Sequence, residues 1–170
     1  MSRRLYWLLG GLALVAGAWV YSRTQSGQSA VPDLVGGIVS TIRGIRNNNP
    51  TNMVDSGIAW NGKTGVDPNG FLIFGTTQDG LNAASKNLKN YALLDGIDTV
   101  DAAIRRWSAT DQDAYVANVA AYLGVDPQDS IDLTDPGTRA NMLRAIIRQE
   151  DGGAGALLVS DALIVQASNV

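Results

Sequence analysis

Cysteine and histidine are both absent from this 170-residue chain, and glutamate occurs once. Without cysteine there is no disulfide framework and no thiolate metal site. Without histidine there are no His-based triads, His–metal sites or His proton shuttles, so acid–base chemistry near neutral pH falls to carboxylates, Lys or Tyr. No metal and no cofactor are expected. A basic surplus is missing too: 13 Lys plus Arg stand against 16 Asp plus Glu. A nucleic-acid partner is therefore not expected, because such a binder needs a basic face. No internal repeat is evident, and the length suits one domain of roughly 100–150 residues rather than two.

Long apolar runs are scarce. The exception is residues 5–21, LYWLLGGLALVAGAWVY, which carry no charge and are flanked by Arg3, Arg4 and Arg23. As a helix this stretch would span about 26 Å, within reach of a bilayer core. Tyr6 and Trp7 stand at one end and Trp19 and Tyr21 at the other, as an interfacial aromatic belt would. Ala16-Gly17-Ala18 resembles a signal-peptide cleavage site, but the apolar run continues past it through Val20. The expectation is a single transmembrane anchor over residues 1–22, with the remainder outside. Residues 23–41 read as a linker: the polar SRTQSGQSAVP of residues 22–32 leads into a weakly amphipathic stretch over 33–43, with Leu34, Val35, Ile38 and Ile42 at near-helical spacing. Residues 42–170 read as one globular domain.

Within that domain four asparagines and a proline fall between Asn47 and Asn52. Asn competes with the backbone for hydrogen bonds and Pro removes a donor, so an ordered polar loop is predicted. Such a loop braces neighbouring backbone or grips a polar ligand such as a sugar, and both readings stand. Between Ile58 and Phe74, Gly62, Gly65, Pro68 and Asn69-Gly70 punctuate a small hairpin. Five helices follow. Thr77 caps the first, which runs to about Leu94 with Leu81, Ala84, Leu88 and Tyr91 on one face and Gly96 as its stop. Asp98 or Thr99 opens the second, with Val100, Ile104 and Trp107. Asp111 opens the third, with Tyr115, Val119 and Tyr122, closed by Gly124. Asp135 with Pro136 opens the fourth, which carries Met142, Leu143, Ile146 and Ile147 and ends at Gly152-Gly153. Ser160 opens the last. The fold class is mainly α, an α+β arrangement with a short β element.

Fifteen of the sixteen acids are aspartate; the lone glutamate, Glu150, occupies the last turn of the fourth helix. The helix dipole disfavours an anion there by roughly 0.3–1 kcal/mol. Burial would add to that and favour the protonated form a general acid needs. The competing reading is a solvated end residue offset by Arg144 or Arg148. Trp60, in the turn-rich section, is a candidate for stacking on a sugar ring. Trp107, Tyr115 and Tyr122 could also stack, although their helical spacing suits a core. Asp55 and Asp67 could supply a second carboxylate or simply stabilise turns.

The segments GIRNNNPTN, GFLIFGTTQDGLNA, RRW, LGVDP, AIIRQEDG and SDALI occur in this order over about residues 43–165. In this the chain resembles bacteriophage virion-associated peptidoglycan-degrading proteins, a structural lytic family similar to lytic transglycosylases. It departs from their pattern at Thr51, where Gly is usual; at Trp107-Ser108-Ala109-Thr110, where Trp-Ala-Pro-Pro is usual; and at Gln149, where His is common. The resemblance implies a lysozyme-like domain that cleaves glycan strands, as a lytic transglycosylase or muramidase, with Glu150 catalytic. Asn47, Asn48, Asn49, Asn52, Trp60 and Tyr115 would bind substrate. Its implied partners are peptidoglycan, a lipid membrane (the virion's internal membrane or the host inner membrane) and other virion proteins. The implied location is single-pass and membrane-anchored, with the domain facing the periplasm. The alternative is a non-enzymatic structural virion protein that keeps the same fold.

Overall fold

The computed structural model describes residues 36, 37 and 40–170. Every element below belongs to the compact unit Ser40–Val170. In chain order these are helix α1 (Arg43–Arg46), strands β1 (Lys63–Val66) and β2 (Leu72–Phe74), and helices α2 (Thr77–Asp95), α3 (Val100–Trp107), α4 (Gln112–Leu123), α5 (Pro136–Leu158) and α6 (Asp161–Ser168). The architecture is mainly helical with one small antiparallel sheet.

Local chemistry sets most of the boundaries. Thr76, one residue before the expected cap, accepts the Asp79 N–H, and Gly96 closes α2 in the left-handed region at φ 67°. Thr99 accepts the Ala102 N–H to start α3. Asp135 accepts the Thr138 N–H to start α5, with Pro136 in its first turn. In the hairpin, Val66 pairs with Leu72 and Lys63 with Phe74, with a register irregularity between Lys63 and Gly65. The strand begins only at Lys63, so the preceding Ile58–Gly62 stretch is turn and coil rather than β.

The fourth predicted helix does break at Gly152 (φ 69°, ψ −176°), where the diglycine placed its end, but a second helical segment that was not expected follows to Leu158. Only glycine tolerates that backbone region, so the diglycine makes the kink that separates the two segments of α5. One further expectation is corrected. Tyr122 is not on a core face; it is 46% exposed.

The core is one cluster built around the first part of α5. Met142, Leu143, Ile146 and Ile147 are buried there against Leu72, Phe74, Leu81, Leu88, Val100, Ile104, Val119 and Ile164. Helix α5 packs on α1, α2, α4 and α6, and α2 also lies along α6. Arg139 is fully buried within this assembly. It donates to the Leu133 carbonyl at 2.9 Å, the Thr134 carbonyl at 2.7 Å and Ser85 Oγ at 3.2 Å, and also to the Ser168 carbonyl. Burial lowers its pKa, and the charges of Asp135 and Asp132 work against that shift.

The expected single-pass membrane location is also corrected: among the described residues no helix is long and apolar enough to cross a membrane. The apolar run 5–21, from which the anchor was read, lies outside the described residues, as does most of the 23–41 linker.

Candidate active site

Glu150 follows Ile146 and Ile147 by four and three residues, so it shares the face of α5 that builds the core. It stands where that face runs out of apolar cover, two residues before the Gly152 kink. The ordered carbonyls of the first part of α5 therefore end within a turn of Glu150. Asp151 is next to it. A Cβ on Gly44 would overlap the Asp151 carboxylate, and one on Gly155 would overlap the Asp151 Cβ. The two glycines thus let α1 and the second part of α5 close around this side chain.

The asparagine loop divides its labour. Asn49 is fully buried; it donates to the carbonyls of Met53 (2.9 Å) and Leu72 (3.0 Å) and accepts the Met53 N–H (3.0 Å). Asn47, also buried, donates to Asp67 Oδ2 at 2.9 Å, and its carbonyl accepts the Phe74 N–H. Asn48 adopts φ 52°, donates to the carbonyls of Phe74 and Gly75, and accepts from the Thr77 hydroxyl. Its own carbonyl sits where a side chain on Gly80 would be. These three side chains tie the loop to the hairpin and to the start of α2.

Asn52 (φ 49°) turns the other way. Its Nδ2 donates to Glu150 Oε2 at 3.3 Å and to Asp151 Oδ1 at 3.2 Å, while its Oδ1 accepts from Arg43 Nε at 3.3 Å. The arginine on one side and the carboxylates on the other fix the orientation of the amide. Arg43 is held in turn over the Phe71 ring, with its guanidinium carbon 3.7 Å from the centroid. From the far side the Tyr115 hydroxyl donates to Glu150 Oε1 at 2.9 Å. The Tyr115 ring is buried, so what it gives the site is the hydroxyl rather than a stacking face.

Burial pushes the Glu150 pKa up, opposed by the hydrogen bonds from Tyr115 and Asn52 and by the Arg43 charge. Burial also raises Asp151, to about 6, with the Glu150 charge adding to the rise and Asn52, the Gly44 backbone and Arg43 opposing it. Asp151 Oδ2 is enclosed and lacks a hydrogen-bond partner among the described residues. Burial and the adjoining Glu150 hold Tyr115 well above the ordinary phenol range. The tyrosine is therefore a fixed donor at any working pH.

Arg43, Arg46, Asn52, Asn69, Glu150 and Asp151, with Thr41 and Ile42, line a cleft of about 430 Å³. Among the residues singled out in the sequence, the structure brings Glu150, Asn52 and Tyr115 together. Asn47, Asn48, Asn49 and Trp60 are not part of the cleft lining; Trp60 packs partly against the core. Asp67 accepts the Asn69 and Phe71 N–H groups in the hairpin turn, and Asp55 pairs with Lys63 at 2.8 Å. Gln149 accepts from Asn118. Thr51 is buried, with its hydroxyl unpartnered among the described residues. Sequence reasoning missed Asp151 and Arg43. The signal for the first was an acid beside the only glutamate at a helix end. For the second it was the arginine leading into the asparagine run.

A second concavity, of about 440 Å³, lies between Tyr122, Ile147, Ala156, Leu157, Val159 and Ile164. Its only carboxylate, Asp161, is paired with Arg144 at 2.7 Å, so it offers no free acid. Among the described residues no group of three or more His, Cys, Asp or Glu could hold a metal ion.

A mainly helical domain with a small hairpin and a carboxylate-bearing polar cleft is the class defined by these observations. No family model matches the chain. Sequence comparison nevertheless shows that it belongs to a family of bacteriophage proteins, that of Protein P5 of Pseudoalteromonas phage PM2. The two are 32% identical over 119 residues, covering 65% of this chain and 71% of that protein.

Proposed function

We propose that this chain is a virion protein that cleaves the glycan strands of peptidoglycan, with Glu150 as general acid. Its kinship with a phage protein supports the virion role. The observation that carries the chemistry is the setting of Glu150: a half-buried carboxyl in a polar cleft, held between a tyrosine hydroxyl and an asparagine amide.

The shorter bond, from Tyr115, keeps Oε1 as an acceptor. Oε2, with only the 3.3 Å contact to Asn52, is then the oxygen that carries the transferable proton. Glu150 gives that proton to the glycosidic oxygen as the C1–O bond breaks, and the leaving sugar departs as an alcohol. The neighbouring N-acetyl group stabilises the cation at C1. The C6 hydroxyl of the same sugar then attacks C1, and its proton returns to Glu150. A group that is acid first and base second works best with a pKa lifted toward the operating pH, which burial supplies. Asp151 adjoins Glu150 on the same helix, and its free oxygen is enclosed. It does not serve as the opposed carboxylate that a two-acid hydrolase needs to activate water. A one-carboxylate transglycosylase is therefore favoured over a muramidase.

The second reading is a structural virion protein without activity. The engagement of Asn47, Asn48 and Asn49 in bracing, rather than in the cleft, favours it. Digestion of purified sacculi with the full-length chain, read by mass spectrometry, separates the two. Anhydro-muropeptides support the transglycosylase and reducing ends a muramidase, whereas an undigested wall leaves the structural role. Glu150→Gln should abolish release with the circular dichroism spectrum unchanged; full activity in that variant would sink the assignment.

A further inference from the structure

The cleft holds two arginines with different duties. Arg43 is engaged inside the protein, over Phe71 and on Asn52. Arg46, three residues on and so on the same face of α1, is exposed at the cleft wall. Its guanidinium donates to the Ser40 carbonyl at 3.3 Å. Among the described residues no carboxylate lies within 4 Å of it, although five other cation–carboxylate pairs form elsewhere in the domain. An arginine on the wall of a polar cleft, with most of its five donors open among the described residues, is suited to a planar anion taken in bidentate fashion. Across the same cleft Asn69, exposed in the hairpin turn, adds an amide that can both donate and accept. The acids of the cleft do not cancel this charge. Glu150 and Asp151 both turn toward Asn52, and burial keeps Asp151 largely neutral below about pH 6.

We infer that Arg46 is a specificity-determining residue that binds a carboxylate of the substrate beside the scissile bond. This rests on the glycan-strand reading above. Bare amino-sugar polymers are uncharged along the chain, whereas peptidoglycan strands bear peptide side chains with free carboxylates. The substrate class is therefore the strand whose peptides carry free carboxylates, and strands with those carboxylates amidated are poorer ligands.

The test uses the full-length chain with Glu150→Gln, so that binding is read without turnover. Two matched probes are needed: isolated strands with free peptide carboxylates, and the same strands with those carboxylates converted to amides by carbodiimide and ammonia. The Glu150→Gln protein should bind the free-carboxylate strands about tenfold more tightly, the ratio that one partly exposed charge-assisted contact supplies. Adding Arg46→Gln should bring the ratio to about one. Arg46→Lys should restore part of the preference. A merely structural role for Arg46 would weaken both probes alike and leave the ratio intact. A preference that survives Arg46→Gln, equal binding of both strands by the Glu150→Gln protein, or no binding of either would overturn the inference. An Arg46-dependent preference in a protein whose parent releases no muropeptides would support the recognition role while removing the enzymatic reading. Cleavage by the parent with no Arg46 effect would do the reverse.

Discussion

Both hydrogens of the Asn52 side-chain amide go to carboxylates, one on Glu150 and one on Asp151. The two acids then differ in what else they touch. Glu150 has a second donor in Tyr115, whereas Asp151 has an enclosed oxygen without a partner among the described residues. The surroundings of Asp151 thus favour its neutral form, and this gives a prediction with a definite sign. Its pKa rises from the ordinary 3.8 to about 6 in the folded protein, so the folded state binds more protons than the unfolded chain between those values. The Asp151 contribution to stability is therefore fully present below about pH 4 and is lost as pH rises through about 6. Asp151→Asn keeps the neutral shape. Its melting temperature relative to the parent should climb steadily between pH 4 and 7. A constant difference across that range would show that Asp151 is not held neutral by the fold.

At the scale of elements, the asparagine loop works as a clamp on the hairpin. Asn49→Ala removes three buried hydrogen bonds to Met53 and Leu72 and should cost about 2–3 kcal/mol, measured by urea denaturation. The same loop shows what a sequence reveals. That it would be ordered and polar could be read from four asparagines and a proline. Which amide braces and which faces the cleft could not, because that depends on partners 20 to 29 residues away for Asn47 and Asn48, on one 23 residues away besides the nearby Met53 for Asn49, and on partners 98 and 99 residues away for Asn52. The helices were legible because their ends carry their own chemistry: Thr99 as a cap, Pro136 in a first turn, Gly96 and Gly124 as left-handed stops. The Gly152-Gly153 pair was rightly read as a helix end, but the second helical segment that follows it to Leu158 was not foreseen. A diglycine marks a break in helical geometry, and only packing decides whether the chain then leaves or bends and resumes. Glu150 stood out because it is the only glutamate, and its neighbour Asp151 was overshadowed by the same fact.

At the scale of the whole molecule, the cleft depends on α1 and the asparagine loop docking against the middle of α5. Ile45 and Met53 reach the core from that seam, and the contacts at the cleft itself are polar. Arg43 and Asn52 contribute polar contacts, and Gly44 contributes close approach rather than bulk. The Leu, Ile and Val cluster around α5 lies deeper. Opening of the seam should therefore require less free energy than global unfolding. In a urea titration, muropeptide release, or strand binding by the Glu150→Gln protein, should fall at lower denaturant than the far-ultraviolet helical signal. Coincident midpoints would mean that the seam and the core form one cooperative unit.

The separation between Asn52 and Glu150 has a consequence for heredity. The amide and the carboxylate it orients are encoded almost three hundred bases apart, and everything between them builds scaffold rather than cleft, apart from Asn69 and Tyr115. A crossover anywhere in that interval would join one parent's loop to the other's acid. Such a hybrid could fold on its inherited core and still carry a mismatched pair. Selection on this site should therefore act on the two ends of the coding stretch together, leaving the middle freer to change.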